Sequence, residues 1–116
     1  MKRTPLLVLL LGLVAGCASY PAPSDHLASA IAATRGAEEA GASQVPRAAL
    51  QLKLAKEQIA QSRQMMEDGE NERADFMTLR AYNDAELALA MARENAARKR
   101  AEQASALAVP SPTPGL

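Results

Sequence analysis

Small and apolar residues recur at alternating steps of three and four along two long stretches of the chain. In the first stretch the repeating positions are Ala48, Leu52, Ala55, Ile59, Ser62 and Met66. In the second they are Ala74, Thr78, Ala81, Ala85, Ala88 and Ala92. This spacing is typical of a heptad-like seam on an α-helix. The sequence therefore predicts two long helices that pack closely along seams of small side chains.

The ends of these helices carry residues that start or stop a helix. Pro46 suits the first position of a helix, which should end near Asp68 with Gly69 as its stop. Asn71 is a good N-cap for the next helix, which should continue to about Leu107. Because the link around Gly69 is short, we expect the two long helices to form an antiparallel hairpin.

A shorter helix is predicted before the hairpin, from about Asp25 to Ala40, with Ser24 or Asp25 as its N-cap. Its apolar stripe consists of Leu27, Ile31 and Thr34. Apart from one Phe and two Tyr the chain has no aromatic residues, and alanine favours helix throughout. The predicted fold class is therefore all-α: an antiparallel hairpin of two long Ala-rich helices, a shorter N-terminal helix and flexible ends.

Both long helices also carry a weaker second stripe of apolar residues. Its members are Leu50, Leu54 and Met65 on the first long helix and Phe76, Leu79, Leu87 and Ala90 on the second. A hairpin cannot bury both stripes, so the N-terminal helix, a second copy or another protein could cover part of them. Alternatively, they are the scattered exposed apolar residues that any protein surface carries.

The first sixteen residues have the three zones of a secretory signal. A basic start (Lys2, Arg3) precedes an apolar stretch over residues 5–14, and the small pair Ala15-Gly16 follows it. The apolar stretch is much shorter than the roughly 20 residues that span a bilayer. The pattern therefore predicts a signal peptide over residues 1–16, cleaved between Gly16 and Cys17.

Cys17 is the only cysteine of the chain. Together with Val14-Ala15-Gly16 it resembles the lipobox of bacterial lipoproteins, which implies diacylglyceryl transfer to its thiol, with palmitate as an expected acyl group. In enteric-type bacteria an Asp after this cysteine resembles an inner-membrane retention signal, and here Ala18 occupies that position. The resemblance therefore implies a lipid anchor in the outer membrane, with the body of the protein in the periplasm. An ordinary signal peptide with a chance cysteine is the alternative.

The mature chain is expected to have three parts. Residues 17–24 contain the lipidated cysteine and two prolines, which predicts a short tether. Residues 25–108 form the helical domain. Residues 109–116 alternate proline with small residues, which predicts a disordered tail without helix.

Charge and composition favour no enzyme chemistry. The precursor has 13 basic and 13 acidic residues, and loss of Lys2 and Arg3 with the signal leaves 11 basic residues, so binding to nucleic acid is not expected. His26 is the only histidine and is expected to be solvated in the first turn of its helix. Without a paired-imidazole metal site, a phosphate loop or a catalytic triad, we expect no catalytic residue, metal, cofactor or small-molecule substrate.

The densest polar cluster lies at the predicted tip of the hairpin. Its carboxylates are Glu67, Asp68, Glu70, Glu72 and Asp75. Their order lacks the ligand spacing of an EF-hand loop, so a solvated turn is the simple interpretation. If a partner is recognised by charge, this tip is the first candidate for the contact.

The lipobox cysteine and the short tether precede a repeating pattern of small and apolar residues at Ala48, Leu52, Ala55, Ile59, Gly69, Ala74, Ala81, Asp84, Ala85, Leu87 and Ala88. With these residues the chain resembles small bacterial lipoproteins of the domain-of-unknown-function 4398 type. The resemblance implies a location in the cell envelope and a helical fold, and it brings no catalytic residue with it.

Two functions remain after these exclusions. The first is a non-enzymatic envelope lipoprotein, a lipid-anchored helical hairpin that acts as a structural or adaptor component through an envelope protein partner or self-association. The second is a module that binds peptidoglycan, with either the tip carboxylates or the basic end of the last helix. Location alone supports the second, because glycan recognition usually uses aromatic platforms.

Overall fold

The protein is described by a computed structural model that covers residues 19–108. The elements within this range are α1 (Ser24–Glu39), a short 3-10 helix (Ala42–Gln44), α2 (Pro46–Glu67) and α3 (Asn71–Ala108). The predicted all-α fold, with two long helices packed against each other and a shorter N-terminal helix, is confirmed. The predicted signal segment with Gly16, the cysteine Cys17 and the tail over residues 109–116 lie outside the described residues.

The core is a stack of layers to which each helix contributes small side chains. From the α2–α3 turn outward, the layers are Ala30, Ile59 and Ala81, then Ala33, Ala55 and Ala85, then Ala37, Leu52 and Ala88. Residue numbers rise together in α1 and α3 and fall in α2. α1 therefore runs parallel to α3, and both run antiparallel to α2.

The predicted seam of α3 is confirmed, because its six positions are the six buried residues of that helix. On α2 the first five predicted positions are buried, whereas Met66 is only half-buried in the last turn of the helix. Gln58 is buried as well, and its Nε2 donates a hydrogen bond to Asp84 Oδ2 at 2.8 Å. This cross-helix bond accounts for a polar residue beside the seam, although Gln58 Oε1 has no hydrogen-bond partner.

The predicted stripe of α1 is confirmed in part. Thr34 is buried, and Leu27 and Ile31 are half-buried at the edge of the core. The other buried residues of α1 are Ala30, Ala33 and Ala37, whose small side chains let α1 approach both other helices closely. α1 thus packs along the seam between α2 and α3 and does not cover the second apolar stripes. Four residues of these stripes are exposed: Leu50, Phe76, Leu79 and Leu87.

Two hydroxyl groups close the core next to the α2–α3 turn. Ser62 Oγ and Thr78 Oγ1 are fully buried, lie 2.5 Å apart and lie 3.0 and 2.8 Å from the carbonyl of Ala74, so one hydroxyl donates to this carbonyl and the other donates to its hydroxyl neighbour. Their hydrogen bonds satisfy polar groups that would otherwise be costly to bury.

The turn between α2 and α3 depends on Gly69. Its φ is +78°, its amide bonds the carbonyl of Met66 at 3.1 Å, and the amide of Glu70 bonds the carbonyl of Met65 at 2.8 Å. This pair of bonds is a Schellman motif, whose left-handed residue is normally glycine. The prediction of Gly69 as the helix stop is thereby confirmed.

Gly69→Ala should lower the free energy of unfolding by about 1–2 kcal/mol, since an L-residue is strained at this φ. Gly36, inside α1, is the matched control: a methyl group added at its Cα would meet open space, so Gly36→Ala should raise the free energy of unfolding by about 0.5–1 kcal/mol. Urea unfolding followed by circular dichroism measures both. Equal effects of the two substitutions would contradict the assignment of the turn.

Candidate functional site

The segment before α1 is fastened to the start of α3. The hydroxyl of Tyr20 donates to Asp75 Oδ2 at 2.5 Å, and Asn71 Nδ2 donates to the backbone carbonyl of Tyr20 at 3.0 Å. Both side-chain partners belong to the first turns of α3. Of the predicted tether, Tyr20 is therefore fastened to α3, and Pro23 is buried.

The same carboxylate also binds α1. His26 Nδ1 lies 2.5 Å from Asp75 Oδ1, so one aspartate accepts hydrogen bonds from two different segments. His26 is in the first turn of α1, and the parallel arrangement of α1 and α3 brings the two helix starts together. His26 is solvent-exposed in the first turn of its helix, as predicted, with 64% of its side chain exposed, but the prediction did not include its hydrogen bond to Asp75.

Local backbone structure turns Tyr20 toward α3. Pro23 is buried and is the N-cap of α1, and its carbonyl accepts the amide of Leu27 at 2.9 Å. The amide of Ser24 bonds the carbonyl of Ala22 at 2.9 Å. Neither Ser24 nor Asp25 caps α1 with its side chain, contrary to the sequence prediction. Residues 20–26 and Asp75 enclose an open pocket of about 320 Å³.

Asn71 also has a different role from the one predicted. α3 begins at Asn71, and the carbonyl of Glu70 accepts the amide of Ala74 at 2.9 Å. The Asn71 amide group is directed to the Tyr20 carbonyl. Asn71 therefore holds the N-terminal segment in place.

The hydrogen bonds to Asp75 shift the pKa values of all three titratable groups. The bond to Asp75, and then its negative charge, raise the pKa of His26 above its ordinary value of 6.5. The bonds from His26 and from Tyr20 lower the pKa of Asp75 below 3.8. The bond to Asp75 raises the pKa of Tyr20 above 10.0. We call this arrangement the Tyr20–His26–Asp75 clamp.

The clamp should be strongest between about pH 4 and 6.5. The contribution of His26 is fully present below its unfolded pKa and is lost as the pH rises through its raised folded pKa. The contribution of Asp75 is present above its unfolded pKa and is lost as the pH falls through its lowered folded pKa. Since His26 is the only histidine, its ring protons give a single set of signals for NMR titration.

The titration should give a pKa above 6.5 for His26 in the native sequence, and Asp75→Asn should return it toward that value. Asp84→Asn is the matched control, because Asp84 also accepts a hydrogen bond but lies on the α2 side of α3. An unchanged pKa of His26 in Asp75→Asn would contradict the clamp.

The acidic residues at the hairpin tip do not converge. Asp75 belongs to the clamp, Glu70 pairs with Arg73, and Asp68 Oδ1 accepts a hydrogen bond from Gln64 Nε2 at 3.2 Å. The two remaining members, Glu67 and Glu72, are exposed. Across residues 19–108 no three His, Cys, Asp or Glu side chains meet as metal ligands would.

The acidic tip and the basic end of α3 lie at opposite ends of the molecule. Arg93, Arg98, Lys99 and Arg100 come after the last buried residue of α3, Ala92. Glu94 and Arg98 form an ion pair one helical turn apart, with 2.6 Å between the charged atoms. The two surfaces considered for cell-wall binding therefore cannot act together on one site.

Sequence reasoning placed Asp75 in the acidic tip but missed Tyr20 and His26 as its partners. Tyr20 lies 55 residues before Asp75, and His26 lies 49 residues before it. No local sequence pattern links these positions, because their contact depends on α1 running parallel to α3. Chemically, the clamp uses both carboxylate oxygens of Asp75 to join three segments, which makes it a structural fastening.

Comparison with known proteins agrees with this architecture. The family model described as "Domain of unknown function (DUF4398)" matches residues 25–104, which include α1, α2 and most of α3. No curated protein and no solved structure matches the chain. None of the described helices has a stretch long and apolar enough to cross a membrane. With the match extending over most of its length, the chain belongs to the DUF4398 family.

Proposed function

We propose that the protein is a non-enzymatic lipoprotein of the bacterial cell envelope. In this proposal, lipid on Cys17 holds it on the outer membrane, and its helical body stands in the periplasm as a structural or adaptor component. The observation that carries the proposal is that the two ends of the helical body differ. The N-terminal segment is fastened at the start of α3, and the last turns of α3 project at the opposite end.

The clamp supports a defined distance between anchor and body. Tyr20 is fixed on α3, and the three residues from Cys17 to Tyr20 can span at most about 11 Å. The start of α3 would therefore stay close to the bilayer. From there α3 extends for 38 residues, or about 57 Å at 1.5 Å per residue.

The far end of α3 supports the adaptor role. Every residue in 97–108 is exposed, so about 18 Å of helix projects without burying a side chain against α1 or α2. Isolated helices of this length are marginal in water. A partner that packs against the projecting segment would stabilise it, and its position far from the anchor suits contact with another envelope component.

The side chains capable of acid–base chemistry support a non-enzymatic role, because their hydrogen bonds serve the fold. His26 and Tyr20 both bond Asp75, and Gln58 uses Asp84 to join α2 and α3. Ser62 and Thr78 are fully buried. These groups hold segments of the fold together.

Site-specific photo-crosslinking in cells tests the adaptor role. A photoreactive residue at Leu107, in the projecting segment, should give a reproducible adduct with an envelope protein or with a second copy. Leu50, exposed on α2, is the matched control and should give less of this adduct. The adduct should disappear in Cys17→Ser, because that variant lacks the anchor. Absence of any reproducible adduct at Leu107 would contradict the adaptor role.

A further inference from the structure

All three aromatic residues of the chain lie at the same end of the molecule. Tyr20 is clamped to the start of α3, and Phe76 and Tyr82 lie in the first turns of that helix. Leu79 lies between them. All four side chains are exposed, Phe76 by 66% and Leu79 by 52%, so the fold does not use them for its core. We call these four residues the aromatic end.

This clustering differs from the usual scatter of apolar residues on a surface. Of the seven large hydrophobic residues exposed in the described range, four belong to the aromatic end. The other three, Leu50, Leu87 and Leu107, are spread along α2 and α3. Tyr82 and Leu79 also border an apolar pocket of about 240 Å³ with His26 and Ser29 of α1, so the aromatic end includes a concave surface.

The chain leaves the described structure at this same end. Ser19 is the first described residue, and Tyr20 next to it is fixed by its hydroxyl and its carbonyl. If Cys17 carries the lipid, the covalent link restricts the anchor to about 11 Å from Tyr20. The exposed aromatic side chains therefore lie in the part of the body that the anchor would keep near the bilayer.

We infer that the aromatic end rests in the headgroup region of the bilayer that holds the anchor. The inference depends on the proposed lipid anchor at Cys17. Tyr and Phe side chains favour this region because their rings are apolar while the Tyr hydroxyl still reaches polar partners. With the aromatic end on the lipid, α1 and α3 point away from the membrane surface.

The charged residues next to the aromatic end indicate which lipid headgroups it can approach. Residues 67–82 contain five acidic residues against two basic ones, Arg73 and Arg80, and Arg73 is paired with Glu70. This excess of negative charge opposes contact with anionic headgroups within a Debye length of about 8–10 Å. The surface therefore fits zwitterionic headgroups.

The aromatic end is too small to be the interface of a stable dimer. Its four side chains are between 37% and 66% exposed. With 150–250 Å² for each aromatic side chain, the accessible surface of the aromatic end is roughly 400 Å². A stable interface buries about 800 Å² on each partner. A lipid surface imposes no such minimum once a covalent anchor keeps the two together.

Fluorescence quenching tests the inference, because the chain has no tryptophan. The full lipidated protein, with Phe76→Trp as the only tryptophan, is reconstituted into phosphatidylcholine vesicles that contain brominated lipid. Leu50→Trp and Leu107→Trp are the controls, since both positions are exposed but lie outside the aromatic end. Circular dichroism verifies that each variant keeps its helix content.

The Phe76→Trp protein should be quenched at least about threefold more than either control. Replacement of a third of the lipid by phosphatidylglycerol should reduce this difference at low salt, and added salt should restore it. Equal quenching at all three positions in protein that floats with the vesicles would overturn the inference and leave the anchor intact. Protein that does not float with the vesicles would overturn both. Shielding of the Phe76→Trp reporter that depends on protein concentration would assign the aromatic end to a second copy and overturn the inference.

Discussion

Cys17→Ser should transfer the protein from the membrane pellet to the supernatant almost completely and abolish palmitate labelling. Two acyl chains of roughly fifteen methylenes each contribute about 24 kcal/mol to membrane binding, at about 0.8 kcal/mol per buried methylene. The exposed side chains of the aromatic end bury far less apolar area and cannot replace this contribution. The expected change in the membrane-bound fraction is therefore more than about tenfold.

Cell fractionation with immunoblotting measures this change, and metabolic labelling with a palmitate analogue reports the modification directly. Ala18→Ser is the matched control, because it alters the neighbouring residue and keeps the thiol. It should remain membrane-bound and labelled. Retention of Cys17→Ser on the membrane in the same amount as the native protein would refute the lipid anchor.

Ala85→Leu should cause the largest loss of folding stability among single substitutions in the core. Ala33, Ala55 and Ala85 form a layer made only of alanine, in which Ala55 and Ala85 are fully buried. Three helix backbones meet there, so a longer side chain must push two neighbours away. Overpacking of this kind costs about 3 kcal/mol, a large part of the roughly 5–15 kcal/mol that stabilises a typical domain.

Thermal unfolding measures the effect, and a fall in Tm of about 10–20 °C is expected for a body of this size. Ala90→Leu is the matched control, since Ala90 is exposed on the same helix. Its free energy of unfolding should change by no more than about 0.5 kcal/mol. A Tm of Ala85→Leu within about 2–3 °C of the control would show that the three helices are not closely packed at this layer.

The hairpin was predictable because its pattern depends on one helix at a time. The seam of α3 repeats at fixed steps, and the Gly69 turn has a local chemical reason in its positive φ. The face of α1 was harder to predict, because an alanine face and a face with Leu27 and Ile31 both satisfy helical periodicity. The close approach of a third helix decided between them.

The clamp could not be predicted from periodicity at all. It joins residues about 50 positions apart and depends on α1 running parallel to α3, which the order of helices along the chain does not determine. Asp75 was grouped with the tip carboxylates by its place in the sequence. The structure separates it from them because its side chain faces α1, whereas Glu67 and Glu72 face solvent.

The parallel arrangement of α1 and α3 has a mechanical consequence. A pull on the far end of α3, with residue 17 held in place, draws the two helices past each other along their axes. Such a load acts in shear, so the contacts of Ala30, Ala33 and Ala37 with α3 must yield together. Two antiparallel helices pulled apart at the same end would instead separate one layer at a time. The parallel direction of α1 and α3 thus makes the body resistant to tension along its length.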